Sequence, residues 1–281
     1  MKICHTKECI RALSDAWREG GESVALVPTM GYLHAGHMAL VERARALGDR
    51  VVVSIFVNPA QFGDSEDLAK YPRDAERDLA MLRAAGVDAA FLPDVGEIYP
   101  EGDETIVETT RLANILHGQV RPGHFRGVTT VVTRFFNIIR PDYALFGEKD
   151  YQQLQVIRRM ERDLFMDVEI VGVATVRDAD GLALSSRNVR LSPEDRAAAL
   201  VLSRSLARAE EMAREGATIE ALEAAIRAMI EAEPRATLRG LDIVHPESLA
   251  PLEGALEAPA AILLSAEFGG ILLIDQRVVS P

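Results

Sequence analysis

The sequence predicts an α/β protein, a doubly wound parallel sheet followed by a smaller α+β domain, and three observations carry that prediction. Short, continuous apolar runs alternate with segments of helical period as far as about Thr175, the pattern of parallel strands buried on both faces. The central run, Val24–Val27, leads into a turn with two glycines, PTMGYLHAGH (Pro28–His37), and then a helix. From about Val176 the order becomes two helices and then three strands, which marks a second unit. The expected domains are residues 1–175 and 176–281.

In order, Thr6–Trp17 reads as a first helix carrying Ile10, Leu13 and Trp17 on one side and ended by Gly20-Gly21. The strand Val24–Val27 follows, then a helix entered at about Gly36 or His37, with Met38, Leu40, Val41, Ala44 and Leu47 at helical spacing. Val51–Val57 is the second buried strand. Pro72 stands where a helix can begin, with Leu79, Met81 and Leu82 turned inward, and Val87–Leu92 is the next strand. Helix Val128–Ile139, strand Tyr143–Phe146, helix Tyr151–Phe165 and strand Val168–Val173 complete the alternation. In the second unit, Pro193–Glu215 reads as one amphipathic helix opened by Ser192 and closed by Gly216. Helix Ile219–Ala232 stops before Pro234, and Leu241–Val244, Ala260–Ala266 and Ile271–Ile274 read as strands.

The chain has 281 residues, 48% of them hydrophobic, enough for a substantial core. Against 31 Lys and Arg stand 43 Asp and Glu, a net charge of −12, which argues against a long nucleic-acid footprint. No apolar run approaches the roughly 18 residues of a membrane span, and MKICHTKEC does not read as a secretion signal, so the expected compartment is the cytoplasm. Cys4 and Cys9 are too few for a disulfide framework; with His5 between them a metal site is conceivable but weakly supported.

The chemistry is expected at the strand-to-helix turn. Such a junction offers unpaired backbone N–H groups and the positive end of a helix dipole, a natural site for phosphate oxygens. Gly31 and Gly36 allow a tight turn and close approach to a ligand. His34 and His37, three apart, reach one volume above the helix start and can donate to a phosphate and its leaving group. A Walker A loop is excluded, because His37-Met38 stands where Lys-Ser/Thr is required. H-x-x-H is half of a zinc site, yet no third ligand lies at a suitable spacing, and no metal ligand is assigned.

Ligands of doubly wound sheets bind beyond the carboxyl ends of the strands. There the sequence places the His34/His37 turn, then Asn58, Pro59 and Gln61, then Gly147, Glu148, Lys149 and Asp150, and finally RDADGLALSSRN (Arg177–Asn188). Taken singly, these loops read as turn or cap chemistry. Jointly they do not, because nothing structural asks for Lys149, Arg187 and two histidines at one sheet edge.

Six segments, PTMGYLHAGH, SIFVNPAQF, EDLAKYPR, RPGHFRGV, FGEKDYQQL and DGLALSSRN, resemble the pantothenate synthetase (pantoate–β-alanine ligase) family in order and spacing. H-x-G-H alone marks only a wider nucleotidyltransferase superfamily. The resemblance runs from Val24 to Arg196 and weakens beyond. It implies a Rossmann-like first domain, a smaller C-terminal lid domain, a homodimer, and ATP with Mg²⁺. It implies that pantoate attacks ATP to give pantoyl adenylate and pyrophosphate, and that β-alanine then displaces AMP. It further implies that Met30, Gly31, Tyr32, Leu33, His34, Ala35, Gly36 and His37 cradle ATP, with His37 the proton donor and His34 a phosphate contact. Gly147, Glu148, Lys149 and Asp150 hold the nucleotide, Lys149 supplying charge to phosphate oxygens, and Val176 touches adenine. Leu184, Ser185, Ser186 and Arg187 close over the phosphates. Gln61 and Gln153 bind pantoate hydroxyls with amides that both donate and accept, and Gln61 also meets β-alanine. Mg²⁺ is expected on the phosphates.

Leu272 and Gln276, in GGILLIDQ, depart from the Arg and Asn usual in the family. The alternatives are another H-x-G-H nucleotidyltransferase and a non-catalytic nucleotide-binding protein. The intact set His34, His37, Lys149 and Arg187 opposes the second, and the acidic charge opposes a tRNA ligase.

Overall fold

Apolar runs whose side chains alternate between two faces make the six strands of the first unit. In the computed structural model this unit comprises Met1–Gly147 and Gln153–Val173, and a second comprises Glu148–Gln152 and Ala174–Pro281. The structure describes residues 1–63 and 65–281, the side chains at 65–67 excepted. The Glu66 and Asp67 side chains of EDLAKYPR therefore lie outside the described residues.

The strands β1 (Lys2–Cys4), β2 (Val24–Thr29), β3 (Arg50–Ile55), β4 (Ala89–Phe91), β5 (Tyr143–Gly147) and β6 (Glu169–Val173) stand in the order β1-β4-β3-β2-β5-β6. Every neighbouring pair is parallel. The winding reverses between β2 and β5, so the switch point, where such sheets take their ligands, lies at the carboxyl end of β2. Val24 and Leu26 of β2 enter a core with Ile10 of α1 (Lys7–Glu19) and Phe135 of a long helix, His124–Ile139. Ala25 and Val27 enter the opposite core with Leu40, Val41 and Ala44 of α2 (Ala35–Leu47). Period-two alternation thus explains why an unbroken apolar run is buried on both sides.

Several expected boundaries are corrected. Helix α2 starts at Ala35 because His34 is its cap, not its first turn. The helix placed at Pro72 is Ala75–Ala84, because the Asp74 carboxylate accepts the Arg77 N–H at 3.1 Å and caps it there; a short helix, Ser65–Lys70, precedes it. The long helix begins at His124 rather than Val128. Strand β1 was not expected; it adds to β4 at the sheet edge. Cys4 and Cys9 are joined in one disulfide, their Cα atoms 5.5 Å apart, because the Thr6-capped start of α1 folds Cys9 back beside the end of β1. That linkage uses both thiols the conceivable metal site required.

In the second unit the single helix expected over Pro193–Glu215 is two, Pro193–Ala198 and Leu200–Arg214. At the junction the Leu202 N–H donates to the Ala199 carbonyl, three residues back instead of four, which tightens the chain there. The three strands, Ala236–Val244, Ala260–Phe268 and Ile271–Val279, form one antiparallel sheet. Each is longer than its apolar stretch because pairing extends past the buried residues. Gly269 and Gly270, both at positive φ (54° and 80°), make the two-residue turn of the last hairpin. Ile262, Leu264 and Phe268 pack with Leu202, Leu206, Leu222 and Ile226.

Candidate active site

The turn after β2 is held from below by one buried carboxylate. Asp78, 1% exposed, accepts the Tyr32 N–H at 2.7 Å on Oδ2 and the Leu33 N–H at 2.8 Å on Oδ1. Those bonds satisfy backbone groups that the turn withdraws from water, at a place where Gly31 and Tyr32 stand at φ 80° and 52°. A Cβ at Gly31 would lie 3.0 Å from Ile55 Cγ2 and 3.1 Å from Asp78 Oδ2. Glycine is required there by conformation and by space.

From this turn the chain enters α2 through a reciprocal cap. His34 Nδ1 accepts the Gly36 N–H at 3.1 Å, and His37 Nδ1 accepts the His34 N–H at 3.2 Å. The two ring centroids are 4.1 Å apart. A ring nitrogen that accepts an N–H bond carries no proton, so each neutral imidazole bears its hydrogen on Nε2. Two Nε2–H donors are thereby set side by side at the positive end of the helix.

Gln61 and Met30 come together in the same unit. Gln61 lies in a 3₁₀ turn, Pro59–Gln61, capped by Asn58. Its Nε2 donates to Met30 Sδ at 3.3 Å, and its Oε1 accepts from Asn58 Nδ2 at 3.0 Å. One of the two lone pairs of the Gln61 amide oxygen is thus taken by Asn58. Gly127 makes this turn possible: a Cβ there would lie 2.3 Å from the Ala60 carbonyl oxygen. Gln153 lies half-buried in the first turn of helix Tyr151–Asp163.

In the second unit, Lys149, Ser185 and Arg187 line one hollow together with Asn188, Leu272 and Asp275. Lys149 Nζ is 3.6 Å from Asp150 Oδ2. The Leu184 N–H donates to the Val176 carbonyl at 2.9 Å, closing a small hairpin with Gly181 at its turn. Arg177 ties that hairpin to buried Asp275 through two bonds of 2.7 and 2.8 Å. Arg196 grips Asp178 and Asp180 and holds the Asp180 carboxyl below its ordinary range. The Ser185 hydroxyl accepts the Arg187 N–H at 3.2 Å and starts a 3₁₀ turn, Ser186–Arg190. Asp275 is paired with Arg177, and the hollow is lined by the cations Lys149 and Arg187, Lys149 standing beside the Asp150 carboxylate; the two cations suit an anion. Gly147 ends β5, and Glu148 and Asp150 flank Lys149 in their own 3₁₀ turn.

A family model described as pantoate-beta-alanine ligase matches residues 2–278. The chain belongs to that family. A pantothenate synthetase from Rhizobium rhizogenes is 55% identical over 280 residues, 99% of this chain and 96% of the relative. The ligase-family fold also agrees: the crystal structure of pantothenate synthetase from Thermus thermophilus superposes with TM-score 0.94 at 50% identity, covering 100% of both chains. The pantoate-beta-alanine ligase from Francisella tularensis, solved in complex with beta-gamma ATP and beta-alanine, superposes with TM-score 0.81 at 32% identity over 99% of this chain and 97% of its own.

Within this ligase fold, Asp78, Tyr99, Gly127 and the Arg177–Asp275 pair were not singled out from the sequence. An acidic residue in a first helical turn reads as a solvated partner of the dipole, so nothing marked Asp78 as buried. Gly127 stands just before the start expected for its helix, so nothing marked it as a residue inside one. The departures also find their places. Leu272 lines the hollow with Lys149 and Arg187, while buried Gln276 donates to Thr175 Oγ1 at 3.4 Å and its Oε1 has no partner among the described residues.

Proposed function

We propose that this ligase joins (R)-pantoate to β-alanine at the expense of ATP, forming AMP. A carboxylate oxygen of pantoate attacks the α-phosphorus, the bond to the β-phosphate breaks, and pyrophosphate leaves. The amine of β-alanine then attacks the acyl carbon of pantoyl adenylate; the bond to AMP breaks, the amine loses its proton, and the amide forms. Family membership supports the reaction, and the paired caps of His34 and His37 are the observation that carries it to particular residues. Charge builds on the departing phosphate oxygens, and preorganised donors aimed at developing charge stabilise it most.

In this reading His37 Nε2–H donates to the leaving phosphate and His34 Nε2–H contacts a neighbouring oxygen. The segment Met30–His37 cradles ATP, Gly147–Asp150 and Val176 hold its nucleoside end, and Lys149 with Leu184–Arg187 neutralises the phosphates. Gln61 and Gln153 bind pantoate, Gln61 meets β-alanine, and water is kept from the mixed anhydride. Among the described residues no group of three His, Cys, Asp or Glu side chains forms a metal site. Mg²⁺ would enter with ATP and offset the charge of its phosphates. A homodimer in the cytoplasm completes the reading, and sedimentation of the purified chain tests the dimer. The deciding experiment is AMP formation from ATP that requires both pantoate and β-alanine, with labelled pyrophosphate exchanging into ATP when pantoate alone is present. Exchange that also needs β-alanine removes the adenylate.

A further inference from the structure

Beneath Gln61 lies a chain of side chains whose polarity is dictated from one end. Asn58 Nδ2 donates to the Gly127 carbonyl at 3.1 Å, and Asn58 Oδ1 accepts the Ala60 N–H at 3.3 Å. A carbonyl only accepts and a backbone N–H only donates, so the Asn58 amide has one orientation. Its remaining oxygen lone pair takes the Tyr99 hydroxyl at 2.7 Å, the shortest bond of the set, and its remaining N–H goes to Gln61 Oε1 at 3.0 Å. All four hydrogen-bonding positions of Asn58 are then filled. Gln61 must keep its oxygen toward Asn58 and its Nε2 on the side of Met30, whose sulfur is a weak acceptor.

Tyr99 is itself clamped. Its ring stacks on Phe56 with centroids 6.3 Å apart, and the Arg134 guanidinium lies 4.5 Å from its centre. Arg134 is fixed by the Ile98 carbonyl and both oxygens of Asp103. We propose that Tyr99 is a positioning residue for the acid substrate, acting through Asn58 to hold the Gln61 amide with its Nε2 on the side of Met30, so that a ligand group met by that nitrogen is an acceptor oxygen. This rests on the reading that Gln61 binds pantoate. Losing the hydroxyl leaves Asn58 Oδ1 with only its longest bond, so the Asn58 amide keeps its orientation but is held less firmly, and the Nδ2–H that fixes the Gln61 oxygen is less well aimed.

Tyr99→Phe removes one oxygen and keeps the ring against Phe56 and Arg134, and its melting temperature checks that it folds. The expected result is a rise of about fivefold in KM for pantoate, the size of one net hydrogen bond, with KM for ATP unchanged. Gln61→Ala raises the pantoate KM by itself, and adding Tyr99→Phe to it brings no further rise, because the effect passes through Gln61. An equal Tyr99→Phe effect in both backgrounds, or a parallel rise for ATP, overturns the proposal by showing a general structural role. If Gln61→Ala raises the pantoate KM but Tyr99→Phe leaves it unchanged, the proposal alone fails. If Gln61→Ala leaves the pantoate KM unchanged, the assignment of pantoate to Gln61 fails and the proposal falls with it.

Discussion

Asp78→Asn is the most informative single change in the first unit. The side chain keeps its shape, but one of its two acceptors becomes an NH₂ group. Whichever way the amide turns, a donor then faces either the Tyr32 or the Leu33 N–H, both now held at 2.7 and 2.8 Å. A hydrogen bond to a charged group contributes about 1.5–3 kcal/mol, and a buried N–H left unpaired adds to the loss. The expected destabilisation is therefore about 2–3 kcal/mol for Asn and about 3–6 kcal/mol for Ala, where both bonds vanish. At about 2–4 °C per kcal/mol, Asn should lower the melting temperature by roughly 4–12 °C. The turn also sets the entry into α2, so pyrophosphate exchange should fall about tenfold or more as the His34–His37 cap loses its fixed start. Differential scanning calorimetry and exchange with pantoate alone measure the two effects. An Asn variant that melts within a degree of the parent and exchanges at the parent rate refutes the idea that this carboxylate holds the turn.

Gly127→Ala places a methyl 2.3 Å from the Ala60 carbonyl oxygen; a shift of helix against turn costs about 3 kcal/mol, the upper end for overpacking, visible as a lowered denaturant midpoint by circular dichroism. Arg187→Ala should slow adenylation about 10²-fold while sparing attack of β-alanine on supplied pantoyl adenylate, since pyrophosphate has by then gone; single-turnover rates of the two half-reactions decide it. Burial pushes the Tyr99 hydroxyl up to about 12 from 10.0, against the pull of Arg134. With the folded value above the unfolded one, its contribution to stability is complete below pH 10 and is lost as pH rises through about 12. A spectrophotometric titration of tyrosinate should therefore lose a step near pH 12 in Tyr99→Phe.

Much of the architecture was legible because it depends on local order. Apolar runs of strand length, separated by helical periods, specify a parallel sheet covered on both faces, and Val24–Val27 fulfils that in β2. The glycine-framed turn was legible too, since only a tight strand-to-helix junction needs Gly31 at φ 80°. Boundaries moved where a side chain outvoted the periodicity: His34 and Asp74 cap helices that apolar spacing alone placed later or earlier.

What only the tertiary structure decided is which partners meet across the chain. Asp78 reaches the turn 46 residues before it, Tyr99 donates to an amide 41 residues away, and Arg177 grips an aspartate 98 residues on. Each of these residues, read in its own segment, is an ordinary solvated or packed side chain. Hydrophobic periodicity is written into neighbouring positions, whereas a buried hydrogen bond depends on the geometry that the strand order creates. The sequence by itself therefore determined the sheet, the histidine turn and the family. Folding determined the proton positions on His34 and His37, the polarity of the Gln61 amide, and the pairing that leaves Lys149 and Arg187 as the cations of one hollow.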